Sequence, residues 1–237
     1  MRCLILDCGG VLAYPRMGDW NMPFGAARIL GSRMASLHTS RGLIAHRESA
    51  RWLDESRLVK DMAEEMTLRR AYIASLDRLM EWRMTPAEID ALAYDFTYNP
   101  DRFGFFDGVT EWLARWKKEY RLAMLSDAMP STVDFMKRGG VYELLDACVI
   151  STQVGALKPD RRMYEAMLAA LDAKPEDCLF VDDRVCNVEG AVAAGMHAVQ
   201  MAQPGFPPAS LWDGPVARSY EALDRLLRDG GVWEAAR

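Results

Sequence analysis

The sequence lacks several features that would assign it to a specialised class of protein. No apolar run approaches the roughly 20 residues that a transmembrane helix needs, so we expect no membrane partner. Basic residues are not in excess, because the net charge is -5, and this argues against nucleic acid as a partner. Internal repeats and low-complexity tracts are missing. Asp7 interrupts the apolar N-terminus and no small-residue cleavage site follows, so we expect no signal peptide.

The cysteines show neither a disulfide framework nor a metal-binding pattern. Their number is five, which is odd, and no CxxC spacing occurs. Cys3, Cys148 and Cys178 fall in predicted buried strands, so we expect reduced thiols and a cytoplasmic location. Cys8 follows Asp7 directly and is a conceivable nucleophile, although no histidine lies near it in the sequence.

The first predicted strand ends on a carboxylate. The apolar run from Cys3 to Leu6 is typical of a buried parallel strand, and Asp7 follows it. Gly9 and Gly10 come next, and glycine allows a tight turn or a close approach of the backbone to a ligand. An open α/β sheet places its reacting groups at the carboxyl ends of such strands.

A long helical segment follows this strand. Residues 13–23 have the proline, glycine and asparagine content of a loop, and helical periodicity alone occupies residues 24–96. One face of a long predicted helix carries Met62, Met66, Ile73, Leu76 and Met80. Thr85 and Glu88 form a capping box that begins a further helix. We therefore expect a core of residues 1–14 and 100–237, with a helical cap of residues 15–99 inserted into it.

From residue 109 onwards, predicted helices and strands alternate. The strands are expected at 121–126, 147–151, 178–182 and 197–201, and the helices at 109–119, 131–138, 159–171, 187–195 and 219–228. Ser131 is the expected N-cap of its helix. The predicted fold class is α/β, with a Rossmann-like parallel sheet, helices on both faces and an all-helical cap above its carboxyl edge.

Polar residues stand where the predicted strands end. Asp7, Ser126 and the pair Asp182 and Asp183 each close a strand, and Lys158 precedes a helix. If each residue is considered alone, the simplest expectation is that Ser126 forms a hydrogen bond with the backbone and that Lys158 is a solvated surface lysine. In a parallel sheet, however, all these ends lie at one edge, so we expect the side chains to converge. Two adjacent acids there would repel each other unless a cation lies nearby.

Such a set of groups suits phosphoryl transfer. Carboxylates and backbone carbonyl groups are ligands that Mg²⁺ prefers. A hydroxyl, a lysine and a helix N-terminus hold phosphoryl oxygens and neutralise their charge. A carboxylate also acts as a nucleophile that forms an aspartyl-phosphate.

Four segments resemble the motifs of the haloacid dehalogenase-like hydrolase superfamily in order and spacing. They are Asp7-Cys-Gly-Gly-Val, Ser126, Lys158-Pro159 and Phe180-Val-Asp-Asp-Arg-Val-Cys-Asn187. The Gly-Gly-Val form resembles the branch with epoxide-hydrolase N-terminal and glucose-1-phosphatase-like members. The predicted cap stands where that family inserts its C1-type cap. The resemblance covers about residues 1–14 and 100–210 and implies a Rossmann-like core.

The resemblance also implies roles for the matching residues. Asp7 is implied as the catalytic nucleophile and as a Mg²⁺ ligand, together with the carbonyl oxygen of Gly9. Asp183 is implied as the acidic metal ligand, with Asp182 beside it. Asn187 stands where many members carry another Asp, and we expect it to support the metal ligands. Phosphate binding is assigned to Ser126, Asp127 and Lys158, and Ser126 and Lys158 are also implied as catalytic groups.

One position departs from the family pattern. Most phosphatases of the family carry a second Asp two residues after the nucleophile, which protonates the leaving alcohol and later activates water, but this position is Gly9 here. Losing such a group typically costs about 10²–10⁴-fold in rate. Asp19, in the loop after the first strand, is the candidate substitute. Otherwise the leaving group needs little protonation, as in an acyl phosphate or a sugar 1-phosphate, or the chain is a weak phosphate-binding relative.

Two other chemistries of the family lack the second Asp. Haloacid dehalogenases release a halide, which needs no proton and no metal, but the acids Asp182 and Asp183 would hinder binding of an anionic haloacid. Phosphonate hydrolysis uses a cap lysine as a Schiff base, and Lys60 is the single lysine of the predicted cap. Both remain alternatives to a phosphatase.

The predicted cap also carries candidate substrate contacts. Residues 16–51 contain six arginines against two acids, which either attract an anionic substrate or form a solvated helix face. Trp20, His38 and His46 are candidate pocket residues. We expect an Mg²⁺-dependent phosphatase of a small phosphorylated metabolite, acting as a monomer or a homodimer.

Overall fold

The computed structural model describes residues 1–233, and its strands follow the expected alternation. In chain order they are β1 (Cys3–Leu6), β2 (Ala13–Pro15), β3 (Phe103–Phe105), β4 (Arg121–Ser126), β5 (Ala147–Ile150), β6 (Cys178–Asp182), β7 (His197–Met201) and β8 (Val216–Ala217). Within residues 1–233, six of them form one parallel sheet in the order β5-β4-β1-β6-β7-β8. β1 therefore lies at the centre, between β4 and β6.

The helices fall into two groups. Those before the return to the sheet are α1 (Ala26–Leu30), α2 (Ser40–Ser49), α3 (Met62–Met80) and α4 (Pro86–Tyr98). Those that flank the sheet are α5 (Val109–Trp116), α6 (Pro130–Arg138), α7 (Ser151–Val154), α8 (Arg161–Leu171), α9 (Val185–Ala193) and α10 (Tyr220–Asp229). Short 3₁₀ turns connect them, the longest of which spans Gly31–His38. None of the helices within residues 1–233 combines the length and the apolar character that crossing a membrane requires.

Alternating residues of β1 supply the two faces of the core. Leu4 and Leu6 pack with residues of α5, α6 and α10 on one face, whereas Cys3 and Ile5 pack with α8 and α9 on the other. Successive side chains of a strand point to opposite faces, so a strand covered on both sides must be apolar throughout. The expected α/β class is therefore confirmed.

The helical segment has a hydrophobic cluster of its own. The buried members of that cluster all come from residues 26–96 and include Tyr72, Ile73 and Phe96. α3 and α4 pack against each other, and the capping box of Thr85 and Glu88 begins α4 as expected. Met62 and Met66, which were expected to share one face of α3 with the buried Ile73 and Leu76, are only half-buried, and the buried side chains in the first turns of this helix are Glu65 and Arg69 instead.

The chain passes between the sheet and the helical segment through a two-stranded ribbon. β2 and β3 pair antiparallel, with Pro15 opposite Phe103, so the outgoing and the returning chains lie side by side. The sequence predicted a loop over residues 13–23 and no strand at residues 103–105. Strands of three residues with a proline carry too little periodic signal to be distinguished from a loop.

One predicted helix start is wrong in its detail. α6 begins at Pro130 with Met129 as its N-cap, and Ser131 lies inside the first turn. The backbone N–H and the hydroxyl of Ser131 both donate to the Glu65 carboxylate of α3, at 2.8 and 2.7 Å. A side chain from another element therefore satisfies this helix end, which a local sequence pattern cannot indicate.

Candidate active site

The carboxyl ends of β1, β4 and β6 meet at one edge of the sheet, and a cavity of about 370 Å³ opens there. The backbone N–H of Asp7 donates to the carbonyl oxygen of Val181 at 2.9 Å, which extends the pairing of β1 with β6 by one residue. The sequence candidates that line this cavity are Asp7, Gly9, Ser126, Asp127, Lys158 and Asp183. The structure thus brings together residues that are far apart in the sequence, from the end of β1 to the end of β6.

Lys158 lies between two carboxylates at the buried end of the cavity. Its Nζ lies 2.8 Å from Asp7 Oδ1 and 2.6 Å from Asp182 Oδ2, and it donates to the carbonyl oxygen of Leu125 at 3.2 Å. Burial alone would lower the pKa of Lys158, but Asp182 and Asp7 outweigh it and raise the pKa above its usual value. The lysine therefore stays charged and is not a solvated surface residue.

Asp182 is fully buried and its oxygens have partners within the protein. Oδ1 accepts from the backbone N–H of Arg184 at 2.8 Å, and both oxygens accept from the Asn187 side-chain amide at 3.0 Å. Oδ2 also accepts from Lys158. Although an oxygen of Asp182 lies within 4.8 Å of oxygens of Asp7 and Asp183, these bonds make it a holder of Lys158 rather than a free metal ligand.

Asp7 and Asp183 form the part of the acidic cluster that faces the cavity. Burial raises the pKa of Asp7, with Lys158 acting against it and Asp182 and Asp183 adding to it. Burial and Asp182 raise the pKa of Asp183 to about 6. These two neighbouring carboxyl groups resist ionisation because their negative charges would be buried side by side. A hard divalent cation would neutralise those charges, and carboxylate oxygens are ligands that such a cation prefers, so the residues fit such an ion.

Gly10 allows Asp183 to approach the end of β1. Its φ is +69°, and a Cβ atom at this position would lie 2.6 Å from Asp183 Oδ2. A larger residue would therefore be strained in its backbone and would also displace the carboxylate. Glycine is needed here on both counts.

Ser126 and Asp127 form the rim of the cavity next to Lys158. Ser126 is the buried last residue of β4. Asp127 Oδ1 accepts from the backbone N–H of Lys158 at 2.9 Å, so this side chain fixes the lysine backbone. Burial raises the pKa of Asp127, and Lys158 opposes that rise.

Trp20 occupies the space beside Gly9. A Cβ atom on Gly9 would lie 3.0 Å from the indole ring, which itself packs on Phe103 with ring centroids 5.4 Å apart. Trp20 was one of the candidate pocket residues, and it lines the cavity. A second Asp at residue 9 would therefore require this ring to move.

Besides Arg184, which directly follows Asp183, three charged residues of the cavity were missed in the sequence. They are Glu55, Arg69 and Arg102, all of which line the wall opposite the strand ends. Glu55 lies in the loop before α3, Arg69 on α3, and Arg102 in the turn before β3. None of them stands at the end of a sheet strand, so the signal that marked the other candidates does not mark them.

Arg69 and Arg102 are buried on either side of one aromatic ring. Their guanidinium carbons lie 4.0 and 4.2 Å from the ring centroid of Phe96. Arg69 pairs with Glu65 at 3.1 Å, whereas Arg102 donates to the carbonyl oxygens of Trp20, at 3.0 Å, and Phe96. Burial, together with Arg69, lowers the pKa of Arg102 to about 9. Two guanidinium groups therefore line this part of the cavity, and one of them is paired with a carboxylate.

Asp19 does not line the cavity that contains Asp7. It lines a second cavity of about 160 Å³ within the helical segment, together with His38 and His46, and its Oδ1 accepts from the backbone N–H of Asn21 at 2.7 Å. The structure therefore does not bring Asp19 to the position that a substitute acid would need. His46 donates to or accepts from the Tyr72 hydroxyl at 2.8 Å, so it belongs to the packing of this second cavity.

Of the remaining candidates, Lys60 and the arginines of residues 16–51 lie outside the first cavity, whereas Cys8 lines it. Lys60 is exposed and does not line it, which removes the contact that a Schiff-base lysine needs. The six arginines of residues 16–51 do not line it either, and all of them except Arg33 are exposed. Burial and Asp7 raise the pKa of the Cys8 thiol well above its usual value, which disfavours a nucleophilic thiolate.

Comparison with known proteins agrees with this geometry. A family model described as haloacid dehalogenase-like hydrolase matches residues 1–195. The chain is 35% identical over 101 residues to a phosphatase of Mycobacterium tuberculosis, across 43% of this chain and 44% of that protein. It is 30% identical over 66 residues to (S)-2-haloacid dehalogenase 1 of Pseudomonas sp., across 28% of this chain and 29% of that protein.

The matched segments thus span less than half the length of these curated relatives. A solved 2-haloacid dehalogenase from Pseudomonas syringae pv. tomato has the same fold, with a TM-score of 0.65, 18% identity, and coverage of 97% of this chain and 99% of that one. Because the family model covers most of the sequence, the chain belongs to the haloacid dehalogenase-like hydrolases.

Proposed function

We propose that this hydrolase is a Mg²⁺-dependent phosphatase of a small phosphorylated metabolite, with Asp7 as its nucleophile. The observation that carries the proposal is the pairing of Asp7 with Asp183 in front of a buried Lys158. A dehalogenase binds an anionic haloacid without a metal ion, and two facing carboxylates would repel that substrate. The same carboxylates suit a reaction in which a cation accompanies an anionic substrate.

Each residue of the site takes a defined part in this chemistry. An oxygen of Asp7 attacks phosphorus, the bond from phosphorus to the leaving oxygen breaks, and an aspartyl-phosphate forms. Lys158 and Ser126 hold the phosphoryl oxygens, and Asp182 keeps the lysine in place. Water then attacks phosphorus and releases phosphate from Asp7. Asp7, Asp183 and the carbonyl group of Gly9 would hold Mg²⁺, which supplies neutralisation of the phosphoryl charge when bound.

A 2-haloacid dehalogenase is the second candidate. It is favoured by Gly9, since a halide leaves without a proton, and by the dehalogenase among the relatives. The guanidinium groups of Arg69 and Arg102 would also suit the carboxylate of a haloacid. Asp183 argues against it, because a metal-free dehalogenase has no use for a second facing carboxylate.

The test measures phosphate release from alkyl phosphates, acyl phosphates and sugar 1-phosphates, with Mg²⁺ and with EDTA. We expect metal-dependent release, and we expect Asp7→Asn to reduce it by at least about 10⁴-fold, because the amide is not a nucleophile. Asp19→Asn is the matched control, since Asp19 lies in the other cavity, and it should retain most of the activity.

Two results would contradict the proposal. Phosphate release that survives in Asp7→Asn would remove the nucleophile assignment. Chloride release from chloroacetate or 2-chloropropionate without metal, combined with no phosphate release from any ester, would establish the dehalogenase instead.

A further inference from the structure

The proposed phosphatase reaction needs a proton donor and acceptor that residue 9 does not supply. The leaving alcohol must take up a proton when the aspartyl-phosphate forms, and the attacking water must lose one when it breaks down. Gly9 has no side chain, and Trp20 stands 3.0 Å from where its Cβ atom would be. The group must therefore come from elsewhere in the cavity.

Four carboxyl side chains line the cavity, namely Asp7, Glu55, Asp127 and Asp183. Asp7 is the proposed nucleophile, and Asp183 is the carboxylate beside it in the acidic cluster. Asp127 is engaged with the backbone N–H of Lys158 at 2.9 Å. Within residues 1–233, the Glu55 side chain has neither a hydrogen bond nor an ion pair, and Glu55 is the one lining carboxyl that is neither bonded in this way nor proposed as nucleophile or metal ligand.

We propose that Glu55 is the general acid and base of this enzyme, supplied from the helical segment in place of the residue that Gly9 lacks. This role rests on the proposed phosphatase function. In the first step the Glu55 carboxyl gives its proton to the leaving oxygen as the bond from phosphorus to that oxygen breaks. In the second step the Glu55 carboxylate takes a proton from the water that attacks phosphorus, which returns the carboxyl to its starting form.

The charges around Glu55 suit a group that must exist in both forms near neutral pH. Burial raises its pKa to about 7, with Arg69 opposing the rise and Asp127 and Glu65 adding to it, and Lys158 lowers it again. These are the ionisable groups that face Glu55 from α3 and from the sheet edge. A catalytic acid is most effective when its pKa lies near the working pH, so this environment matches the role.

The loop that carries Glu55 is attached to the sheet side of the cavity. The backbone N–H of Val59 donates to the carbonyl oxygen of Thr152 at 3.0 Å, and Leu58 lies against Gly155. Within the loop itself, the Ser56 backbone N–H donates to Asp54 Oδ1 at 2.9 Å and forms a local turn. The contacts of Leu58 and Val59 attach the loop next to the cavity, as positioning of a catalytic carboxyl requires.

The experiment uses Glu55→Gln with two kinds of substrate. The glutamine has the size of glutamate but cannot donate a carboxyl proton or accept one from water. With an alkyl phosphate we expect kcat/KM to fall by about 10²–10⁴-fold. With p-nitrophenyl phosphate, whose leaving group needs little protonation, we expect a burst of one nitrophenolate per enzyme and accumulation of the aspartyl-phosphate, because only the second step is impaired.

The pH profile separates this role from a structural one. For the wild type with an alkyl phosphate, kcat/KM should fall as the pH rises through about 7, since the acid form of Glu55 is then lost. Glu55→Gln should lose this limb. Glu55→Asp keeps a carboxyl group, so it should keep the limb of the pH profile and show no burst. This second variant distinguishes loss of the carboxyl group from poor folding of the Gln variant.

Glu64→Gln is the matched control, because Glu64 is exposed in the first turn of α3 and does not line the cavity. Equal losses on alkyl and aryl phosphates without a burst, or a pH limb that survives in Glu55→Gln, would overturn the assignment of Glu55. A wild-type enzyme that releases no phosphate from either substrate would instead overturn the proposed function, so the two failures are distinguishable.

Discussion

Asp7 and Asp183 are destabilising to the folded protein as long as no cation lies between them. Burial raises the pKa of both carboxyls, so the neutral form is favoured in the folded state relative to the unfolded chain. A carboxyl with a raised pKa stabilises the fold below that pKa, and the contribution is lost as the pH rises through it. A bound divalent cation reverses this preference for the neutral carboxyl, because the cation binds the ionised carboxylate.

We therefore expect Mg²⁺ to raise the Tm more at about pH 7 than at about pH 5, one unit on either side of the Asp183 pKa of about 6. At pH 5 Asp183 is about one-tenth ionised, so its share of the stabilisation by Mg²⁺ should fall by about 1.4 kcal/mol, and Asp7, whose pKa is also raised, should add to the fall in the same direction. Thermal unfolding at both pH values, with Mg²⁺ and with EDTA, measures this difference. A Tm increase by Mg²⁺ that is independent of pH would show that neither carboxylate is a ligand.

At the same scale, the sequence predicted residues that stand at strand ends. Asp7, Ser126 and Asp183 follow apolar runs, and the geometry of a parallel sheet requires such ends to meet. Glu55 and Arg102 carry no such signal, because they belong to irregular segments whose approach to the sheet depends on the docking of the helices. Asp19 was preferred for its nearness in sequence to Asp7, but the chain turns away before it reaches the cavity.

At the scale of elements, α3 and α6 are joined by a buried carboxylate. Glu65 accepts from the backbone N–H and the hydroxyl of Ser131, at 2.8 and 2.7 Å, and pairs with Arg69 at 3.1 Å. It therefore caps a helix next to the sheet from within the helical segment. The same helix α3 carries Arg69 into the cavity, so this junction sets where the cap wall lies.

We expect Glu65→Ala to lower the free energy of unfolding by about 3–5 kcal/mol, because Arg69 loses its only carboxylate partner within residues 1–233 and stays buried. Urea unfolding followed by far-UV circular dichroism measures the change. Glu64→Gln, on the exposed side of the same turn, is the control, because it keeps the acceptor for the Lys60 backbone N–H at 2.7 Å, and it should cost about 1 kcal/mol or less. If the two substitutions cost the same, the junction contributes no more than an exposed side chain does.

At the scale of the whole molecule, the hydrophobic clusters argue for two domains. The two clusters that flank the sheet have no buried member from residues 15–99, whereas the third cluster consists of residues 26–96 alone. We propose that residues 1–14 and 100–237 form the core and residues 15–99 the cap. The sequence indicated this division through a change of periodicity, but it missed the β2–β3 ribbon that joins the two parts.

The ribbon makes this division testable. The next pair beyond Pro15 and Phe103 is Arg16 with Arg102, and the Arg16 backbone N–H donates to the Arg102 carbonyl oxygen at 2.9 Å. A two-residue turn such as Asn-Gly should therefore close β2 on β3 when it replaces residues 17–101. We expect the shortened chain to unfold in one cooperative urea transition, because both clusters of the sheet remain complete. It should be less stable than the full chain, since the Trp20 packing on Phe103 and the Glu65 cap of α6 are lost.

Replacing residues 17–102 by the same turn is the control. It shifts the pairing of β3 by one residue and turns its side chains to the opposite face, so Phe105 can no longer stack on Phe135 at 4.2 Å between centroids. This chain should unfold at a lower urea concentration than the first. If neither shortened chain shows a cooperative transition, the sheet needs the helical segment to fold. The two hydrophobic clusters that flank the sheet would then form one cooperative unit with the cluster of the helical segment.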